Sequence, residues 1–326
     1  MDSIRWGILG PGKIAHSFAK DLKLVEWGEL TAVGSRDIER AKTFAQAFGA
    51  SEYFGSYEEL LDSNNVDVIY IATPHTGHAE WAIKAMEKGK HVLCEKPMGV
   101  NGAEVRRMIK TATENNVFLM EALWSRFNPT IIEVKKLIDE GQIGTLGYLN
   151  ADFAFYAMDR DEKGRVLNPE LAGGSLLDIG IYPVFLSYLM LGNPEKIQAS
   201  SKFHSTGAEI QTSIIFEYKN AQAVLYSGFT SKSSMRAELS GSKGTLYINP
   251  CWHEAESYSI EKNDEIKCYD VPKIGKGYSH EIIEVHKCIR NGGLQSDLWN
   301  HQNSLDLIDL LDAVRSKTGI TFPFDT

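Results

Sequence analysis

Apolar residues in the first 120 positions fall into short blocks separated by stretches of helical spacing. Residues 4–9, 30–34, 66–72, 91–94 and 117–120 are compact apolar runs, short enough for buried strands. Between them, residues 14–24, 56–63, 78–88 and 102–115 place apolar side chains at helical intervals. Strands alternating with helices predict a doubly wound parallel sheet, an α/β unit. Ligands of such sheets collect at the carboxyl ends of the strands. Those ends are polar here: Ser35-Arg36-Asp37, Thr73-Pro74-His75-Thr76-Gly77-His78, Glu95-Lys96-Pro97 and Glu121-Ala122-Leu123-Trp124.

Near residue 146 the pattern changes. Residues 147–155 alternate like a strand, and 175–190 read as a mostly buried helix. Residues 209–218, 221–230, 235–241 and 245–248 then read as strands, with hairpin turns at 218–221 and 242–244. Two helices, 279–290 and 301–318, close the chain. The expectation is a second, α+β domain built on an open, mostly antiparallel sheet. One face of it takes the domain's own helices, and the other is free for a second subunit.

The first strand runs straight into Gly10-Pro11-Gly12-Lys13-Ile14-Ala15, a G-x-G-x-x-A match in the strand–turn–helix context that gives it meaning. Gly10 permits the tight turn, Gly12 lets a pyrophosphate approach the backbone, and Ala15 lets helix and strand pack closely. Lys13 and Ile14 open the helix, whose amino end offers free N–H groups to phosphates. The next strand ends in Ser35 and Arg36, with Arg40 one helical turn on. An arginine at this place accommodates the 2′-phosphate of NADP, whereas an acidic residue would bind the ribose hydroxyl of NAD. Asp37 stands one position late for that ribose role, so NADP is the expected cofactor and NAD stays possible. The other reading of Arg36 and Arg40 is solvated pairing with Asp37 and Glu39. His75 and His78 lack a completing carboxylate or cysteine, so they are assigned to structure or the cofactor's edge, and no metal site is expected. The domains read as 1–122 for dinucleotide binding and 123–326 for substrate binding and oligomerisation.

A length of 326 residues suits two domains, and 43% apolar residues suffice for two cores. The formal charge of −9 argues against non-specific nucleic-acid binding. Cys94, Cys251, Cys268 and Cys288 lie far apart without a C-x-x-C pair, which favours a reducing compartment over a zinc or disulfide framework. No signal peptide or membrane-length apolar run is read, so a cytoplasmic protein is expected, with neither nucleic acid nor membrane as partner.

In the second half, Gly173-Gly174-Ser175 leads to Asp178-Ile179-Gly180-Ile181-Tyr182. Asp178 and Tyr182 are i and i+4 on one helical face. On spacing alone this is equally a structural hydrogen bond and a functional pair. The charged run 159–165 reads as a solvated loop from which Arg160 or Arg165 could reach a substrate.

Taken together, the Gly10 turn, Glu95-Lys96-Pro97, and Gly173-Gly174 leading to Asp178, Gly180 and Tyr182 make the chain resemble the Gfo/Idh/MocA oxidoreductase family over essentially its whole length. The stretches 94–101, 118–127, 177–182 and 249–252 are most similar to its dihydrodiol and D-xylose dehydrogenase branch. Tyr182 stands where the family's sugar and inositol dehydrogenases usually carry histidine. The resemblance implies Lys96 and Tyr182 as the catalytic pair, with Asp178 positioning them. It implies Glu95 and Thr73 at the nicotinamide ribose, and a pocket of Trp124, Arg126, Phe153 and Trp252. Core packing is the alternative for each of the aromatic residues. It further implies a cis Lys96-Pro97 bond, a sugar or cyclic diol as substrate, and a homodimer through the C-terminal sheet.

Oxidising a secondary alcohol removes a hydride from carbon and a proton from oxygen. Lysine and tyrosine have reference pKa values near ~10, so the environment must activate one of them by ~4 kcal/mol for work near neutrality. Three readings compete with the dihydrodiol/xylose assignment: a dehydrogenase of another sugar or cyclitol, a non-catalytic nucleotide-sensing regulator, and an enzyme that recycles a tightly held cofactor.

Overall fold

The computed structural model describes residues 3–325, which divide into two compact units. In the first, strands β1 (Ile4–Leu9), β2 (Gly28–Gly34), β3 (Glu52–Phe54), β4 (Val68–Ile71), β5 (His91–Glu95) and β6 (Leu119–Ala122) alternate with helices. These are α1 (Lys13–Leu22), α2 (Ile38–Phe48), α3 (Tyr57–Leu61), α4 (His78–Glu87) and α5 (Gly102–Glu114). The sheet order is β3-β2-β1-β4-β5-β6, parallel throughout. Strand order reverses between β1 and β4, the place where a doubly wound sheet opens a ligand crevice. Every residue of β4 is buried, as a strand covered on both faces requires.

The second unit holds α6 (Pro129–Asp139), β7 (Leu146–Ala154), α7 (Ile181–Leu191) and strands β8 (Lys196–Phe203) to β14 (Glu265–Asp270). The intervening strands are β9 (Glu209–Glu217), β10 (Gln222–Gly228), β11 (Ala237–Gly241), β12 (Gly244–Ile248) and β13 (Ser257–Lys262). They form one sheet in the order β14-β13-β12-β11-β7-β10-β9-β8. Only β7 and β10 pair in parallel. Along β10, Ala223, Leu225 and Ser227 are buried while Gln222 and Val224 are exposed, the alternation of a sheet covered on one face. Helices α8 (Tyr278–Arg290) and α9 (His301–Thr318) complete the chain.

The unit boundary departs from the sequence expectation. The first unit ends at Phe127 and includes Ile274–Leu305, which the sequence reading had placed with residues 123–326. The cause is side-chain chemistry on α8 and the loop before it. His286 Nε2 accepts a hydrogen bond from the Trp6 indole on β1 at 3.0 Å. Tyr278 packs edge-on to Phe18 of α1. Asp21, near the end of α1, caps α8: Oδ2 accepts from the amides of Gly277 (2.9 Å), Tyr278 (2.8 Å) and Ser279 (3.3 Å), and Oδ1 from Lys276 (2.9 Å). A Cβ at Gly275 would lie 2.4 Å from Asp21 Oδ1, and φ there is +61°. That position therefore needs glycine on two counts.

Asp21 satisfies four amides that a helix end otherwise leaves open. Asp21→Ala should destabilise the first unit by about 2–3 kcal/mol, read as a lower urea midpoint. An unchanged midpoint would show that the cap contributes nothing.

Candidate active site

Residues distant in sequence meet at the β1/β4 switch point. Gly10 has φ +93°, and a Cβ there would sit 3.0 Å from the Ala72 carbonyl oxygen, so the two strand ends approach as only glycine allows. Gly12 is different. A Cβ on it would meet nothing within 4 Å, so neither packing nor φ demands glycine, and the space in front of it is open. No side chain caps the first turn of α1, where Lys13 is exposed and Ile14 half-buried. Thr73 Oγ1, across the switch point, is buried and finds no hydrogen-bond partner among the described residues. An open backbone cradle, uncapped helix amides and an idle buried hydroxyl fit a bound pyrophosphate and ribose.

At the end of β2, Ser35 is buried and its Oγ accepts from the Asp37 amide at 3.2 Å. Asp37 Oδ1 in turn accepts from the amides of Glu39 (3.0 Å) and Arg40 (3.3 Å), as the N-cap of α2. Its carboxylate is thereby committed to the helix end. Arg40 Nη2 donates to the Pro11 carbonyl at 3.2 Å, which ties α2 to the glycine turn. Arg36 is exposed, and neither arginine has an acidic partner within ion-pair distance among the described residues. The solvated pairing with Asp37 and Glu39 is therefore absent.

Lys96 leaves β5 on a turn that is fastened from several sides. The Lys96-Pro97 bond is cis. His78 Nδ1 lies 2.8 Å from the Pro97 carbonyl and Nε2 lies 3.0 Å from that of Thr73, bridging the β5 and β4 ends. Glu121 Oε1 accepts from the Met98 amide at 2.9 Å, and Oε2 accepts from the Trp299 indole at 3.2 Å. Glu104 accepts from the Val100 amide at 3.0 Å, and Asn101 caps α5. Glu95 accepts from the Tyr70 hydroxyl, and its Oε2 also takes the Lys96 amide at 3.3 Å. The half-buried Lys96 lies close enough for its charge to act on both His78 and Glu121. Burial, helped by that charge, lowers the His78 pKa to about 4 despite the two carbonyls, so the ring is neutral near pH 7. A neutral ring has one N–H, and the shorter contact assigns it to Nδ1. His75 stands 5.7 Å from His78, ring to ring.

Trp124 stacks on Tyr278 at 4.7 Å and 10°. Arg126 is held by the Leu298 carbonyl at 2.9 Å. In the second unit, Asp178 lies in a π-helical turn, Leu176–Gly180, that runs into α7 and carries Tyr182. Single π-turns within helices recur at functional sites. The buried Glu209 anchors this turn, accepting from the Leu176 amide at 2.8 Å and the Ser175 hydroxyl at 2.7 Å. Arg165 pairs with Asp178 at 2.9 Å, and Arg160 lies over Phe155, so the charged loop 159–165 is tied down at both arginines. Trp252 is fully buried and donates its indole N–H to the Asp152 carbonyl at 2.9 Å. Its neighbour His253 instead stacks on Phe153 at 4.2 Å and stands 5.5 Å from the Tyr182 ring. Sequence reasoning assigned no role to Glu121, Tyr70 and Tyr278, beside the expected residues of the first unit, or to Glu209 and His253, beside those of the second. Glu121, an acid ending an otherwise apolar strand, was the one visible signal.

Two family models match the chain. The "Oxidoreductase family, NAD-binding Rossmann fold" model of GFO/IDH/MocA covers residues 4–123, and the "GFO/IDH/MocA C-terminal domain" model covers 131–247. Trans-1,2-dihydrobenzene-1,2-diol dehydrogenase of Mus musculus is 38% identical, and that of Homo sapiens 36%, each alignment spanning 99% of both chains. Among solved structures, a 3-ketoreductase from Actinomadura kijaniata in complex with NADP and TDP-benzene superposes with a TM-score of 0.89 at 28% identity. It covers 97% of this chain and 98% of its own. An aldose-aldose oxidoreductase from Caulobacter crescentus, complexed with glycerol, has the same TM-score at 25% identity and the same coverage.

The His78 assignment has a pH consequence. Its pKa is about 4 in the folded chain and about 6.5 unfolded, so between these values the unfolded state binds the extra proton. Stability is therefore full above pH ~6.5 and falls as the pH drops towards ~4, by up to about 3 kcal/mol for this group. Urea midpoints measured across that window should slope less in His78→Gln than in the wild type. Equal slopes would refute the neutral, buried ring.

Proposed function

We propose, from the premise that this chain belongs to the GFO/IDH/MocA oxidoreductase family, that it is an NADP-dependent dehydrogenase acting on a secondary alcohol of a sugar or cyclic diol. The observation that carries the reading is the juxtaposition at the β1/β4 switch point. The open Gly12 turn and idle Thr73 hydroxyl lie at one sheet edge with a tightly held Lys96 turn. NADP is preferred over NAD because Asp37 is spent on capping α2, while Arg36 and Arg40 have no carboxylate partner at the β2 end. Gly10, Gly12, Lys13 and Ile14 would hold the pyrophosphate, and Thr73, Glu95 and the His75–His78 turn the nicotinamide end.

Hydride acceptance is the chemistry a nicotinamide supplies when bound. The chain's own residues manage the proton. Lys96 polarises the substrate oxygen, Tyr182 takes the proton from it, and Asp178 positions the pair. A developing alkoxide beside an ammonium is stabilised in the transition state more than in the ground state, which is what acceleration requires. Trp124, stacked on Tyr278, and Phe153, stacked on His253, offer flat apolar surfaces suited to the face of a ring substrate. Trp252 supports that surface from the core. Arg126 serves the pocket from its place on the Leu298 carbonyl.

The exposed Tyr148, Ile215 and Val224 lie on the uncovered face of the second sheet, where a homodimer would form. Four cysteines without a disulfide accord with a cytoplasmic protein. Among the described residues no helix is long and apolar enough to cross a membrane.

The test is reduced-cofactor absorbance with NADP+ and NAD+ against D-xylose, D-glucose, myo-inositol and a trans-dihydrodiol. Turnover of xylose or the diol, faster with NADP+, is expected. Lys96→Met should lower that turnover about 10²–10⁴-fold while NADPH still binds. Near-wild-type turnover in Lys96→Met would overturn the mechanism. Activity retained in Tyr182→Phe would move the proton role to Lys96.

A further inference from the structure

One ionisable group in the first unit has no place in the mechanism above. Glu281, in the first turn of α8, is 0% exposed, and neither carboxyl oxygen has a hydrogen-bond partner among the described residues. An ionised carboxylate left bare in such a place costs several kcal/mol, so the group demands an explanation. The titratable groups that face it deepen the problem. Helix α1 presents Asp21, β5 presents Glu95, and β4 presents Tyr70. None of these is a cation. Burial, then the neighbouring Glu95 and Asp21, push the Glu281 carboxyl well above the ordinary carboxylate range. Asp21 already accepts four amide hydrogens, so its carboxylate oxygens are committed to the start of α8. Glu95 is different. It accepts from the Tyr70 hydroxyl, ends the strand that delivers Lys96, and keeps a 7% exposed edge.

We propose that Glu281 is held as an uncharged carboxylic acid, coupled through charge to the Tyr70–Glu95 pair, and that this cluster releases a proton when the oxidised dinucleotide, with its cationic nicotinamide ring, binds but keeps it when the reduced form binds. The coupling rests on the NADP reading above; the uncharged state of Glu281 does not. The step is a simple ionisation. The carboxyl O–H breaks, its electron pair stays on oxygen, and the proton leaves to solvent. A positive charge arriving at the β5 end favours the ionised cluster, and a neutral ring there does not. Oxidised and reduced cofactor would then bind with different dependences on pH, the oxidised form gaining affinity as pH rises. Glu281 would act on the cofactor through Glu95, as a positioning residue.

Calorimetric titration of the full chain with NADP+ and NADPH, each in two buffers of different ionisation heat, counts the protons released. The wild type should release more with NADP+ than with NADPH, by up to one proton. Glu281→Gln, which mimics the uncharged acid, should bind both forms and lose most of that difference. A wild type without the difference, or a Glu281→Gln that keeps it, overturns the coupling. If Glu281→Gln does not fold, Tyr70→Phe keeps the ring stacked on Phe18 and removes the donor to Glu95. The cluster then holds its proton more tightly, so half-release should move to higher pH; no movement overturns the coupling. The infrared spectrum of the wild type, free of cofactor, should show a protonated carboxyl C=O band that is insensitive to bulk pH near neutrality. Its absence overturns the uncharged Glu281 directly. Absence of heat with both nucleotides would instead refute the NADP reading and with it the coupling, and the infrared band would still decide the state of Glu281.

Discussion

The close approach of Gly10 to the Ala72 carbonyl is the constraint on which the rest of the first unit depends. A side chain there would push β1 and β4 apart at the switch point, and φ of +93° would be strained for any residue that carries one. With the strands this close, the loop after β4 passes directly beside the glycine turn. The Thr73 amide nitrogen would lie 3.3 Å from a Cβ at Gly10, and His78 reaches from the start of α4 to the Pro97 carbonyl. The Lys96 turn is therefore built on backbone carbonyls and a buried imidazole rather than on its own sequence preferences. Its second anchor, Glu121, comes from the edge strand β6 and is itself held by Trp299. A lysine set on so many fixed points loses little entropy on reaching a substrate, as the role proposed for Lys96 requires.

The segment 274–305 adds a different kind of constraint. It brings to the parallel sheet a set of polar groups buried under α8 and the loop after it: His286 beside Trp6, Ser296 beside Glu284, and Glu281 near Glu95. Most are satisfied by short hydrogen bonds, which makes α8 part of the nucleotide unit's core. Asp21 is the hinge of that arrangement in a literal chemical sense. It lies at the far end of the helix whose amino terminus faces the open cradle, and it holds the amino terminus of the helix that carries Tyr278 and Glu281.

The first unit was legible because its strands are apolar and end in distinctive residues. Each of β1, β2, β4, β5 and β6 fell within or beside a predicted run. The short β3 and exposed β14 escaped because neither shows a buried face to produce a pattern: β14 is exposed at every position. The second sheet's central parallel pair, β7 with β10, was illegible for another reason, since pairing partners 74 residues apart leave no local mark. Among site residues, the glycine turn and Glu95-Lys96-Pro97 carry their chemistry in the order of residues. The pocket expectation for Trp252 rests on the family resemblance; in the structure its indole N–H donates to the Asp152 carbonyl, and His253 stands beside Tyr182. Sequence shows which side chains an element holds, but in a 3-10 turn such as Trp252–Glu254 adjacent side chains diverge by about 120°, and Trp252 and His253 are buried against different partners. The transfer of α8 to the first unit was equally invisible, because its warrants are single side-chain bonds to residues more than 250 positions away.

The central claim is that the open space in front of Gly12 belongs to a dinucleotide. The most direct test is an NADPH fluorescence titration of Gly12→Val beside the wild type, with the melting temperature of each. The new side chain meets no protein atom within 4 Å at its Cβ, so the variant should melt like the wild type. It should nevertheless lose most of its affinity for NADPH, because the side chain fills the place of the pyrophosphate. Unchanged NADPH affinity in a variant of unchanged stability would contradict the account and put the nucleotide, if it binds at all, elsewhere.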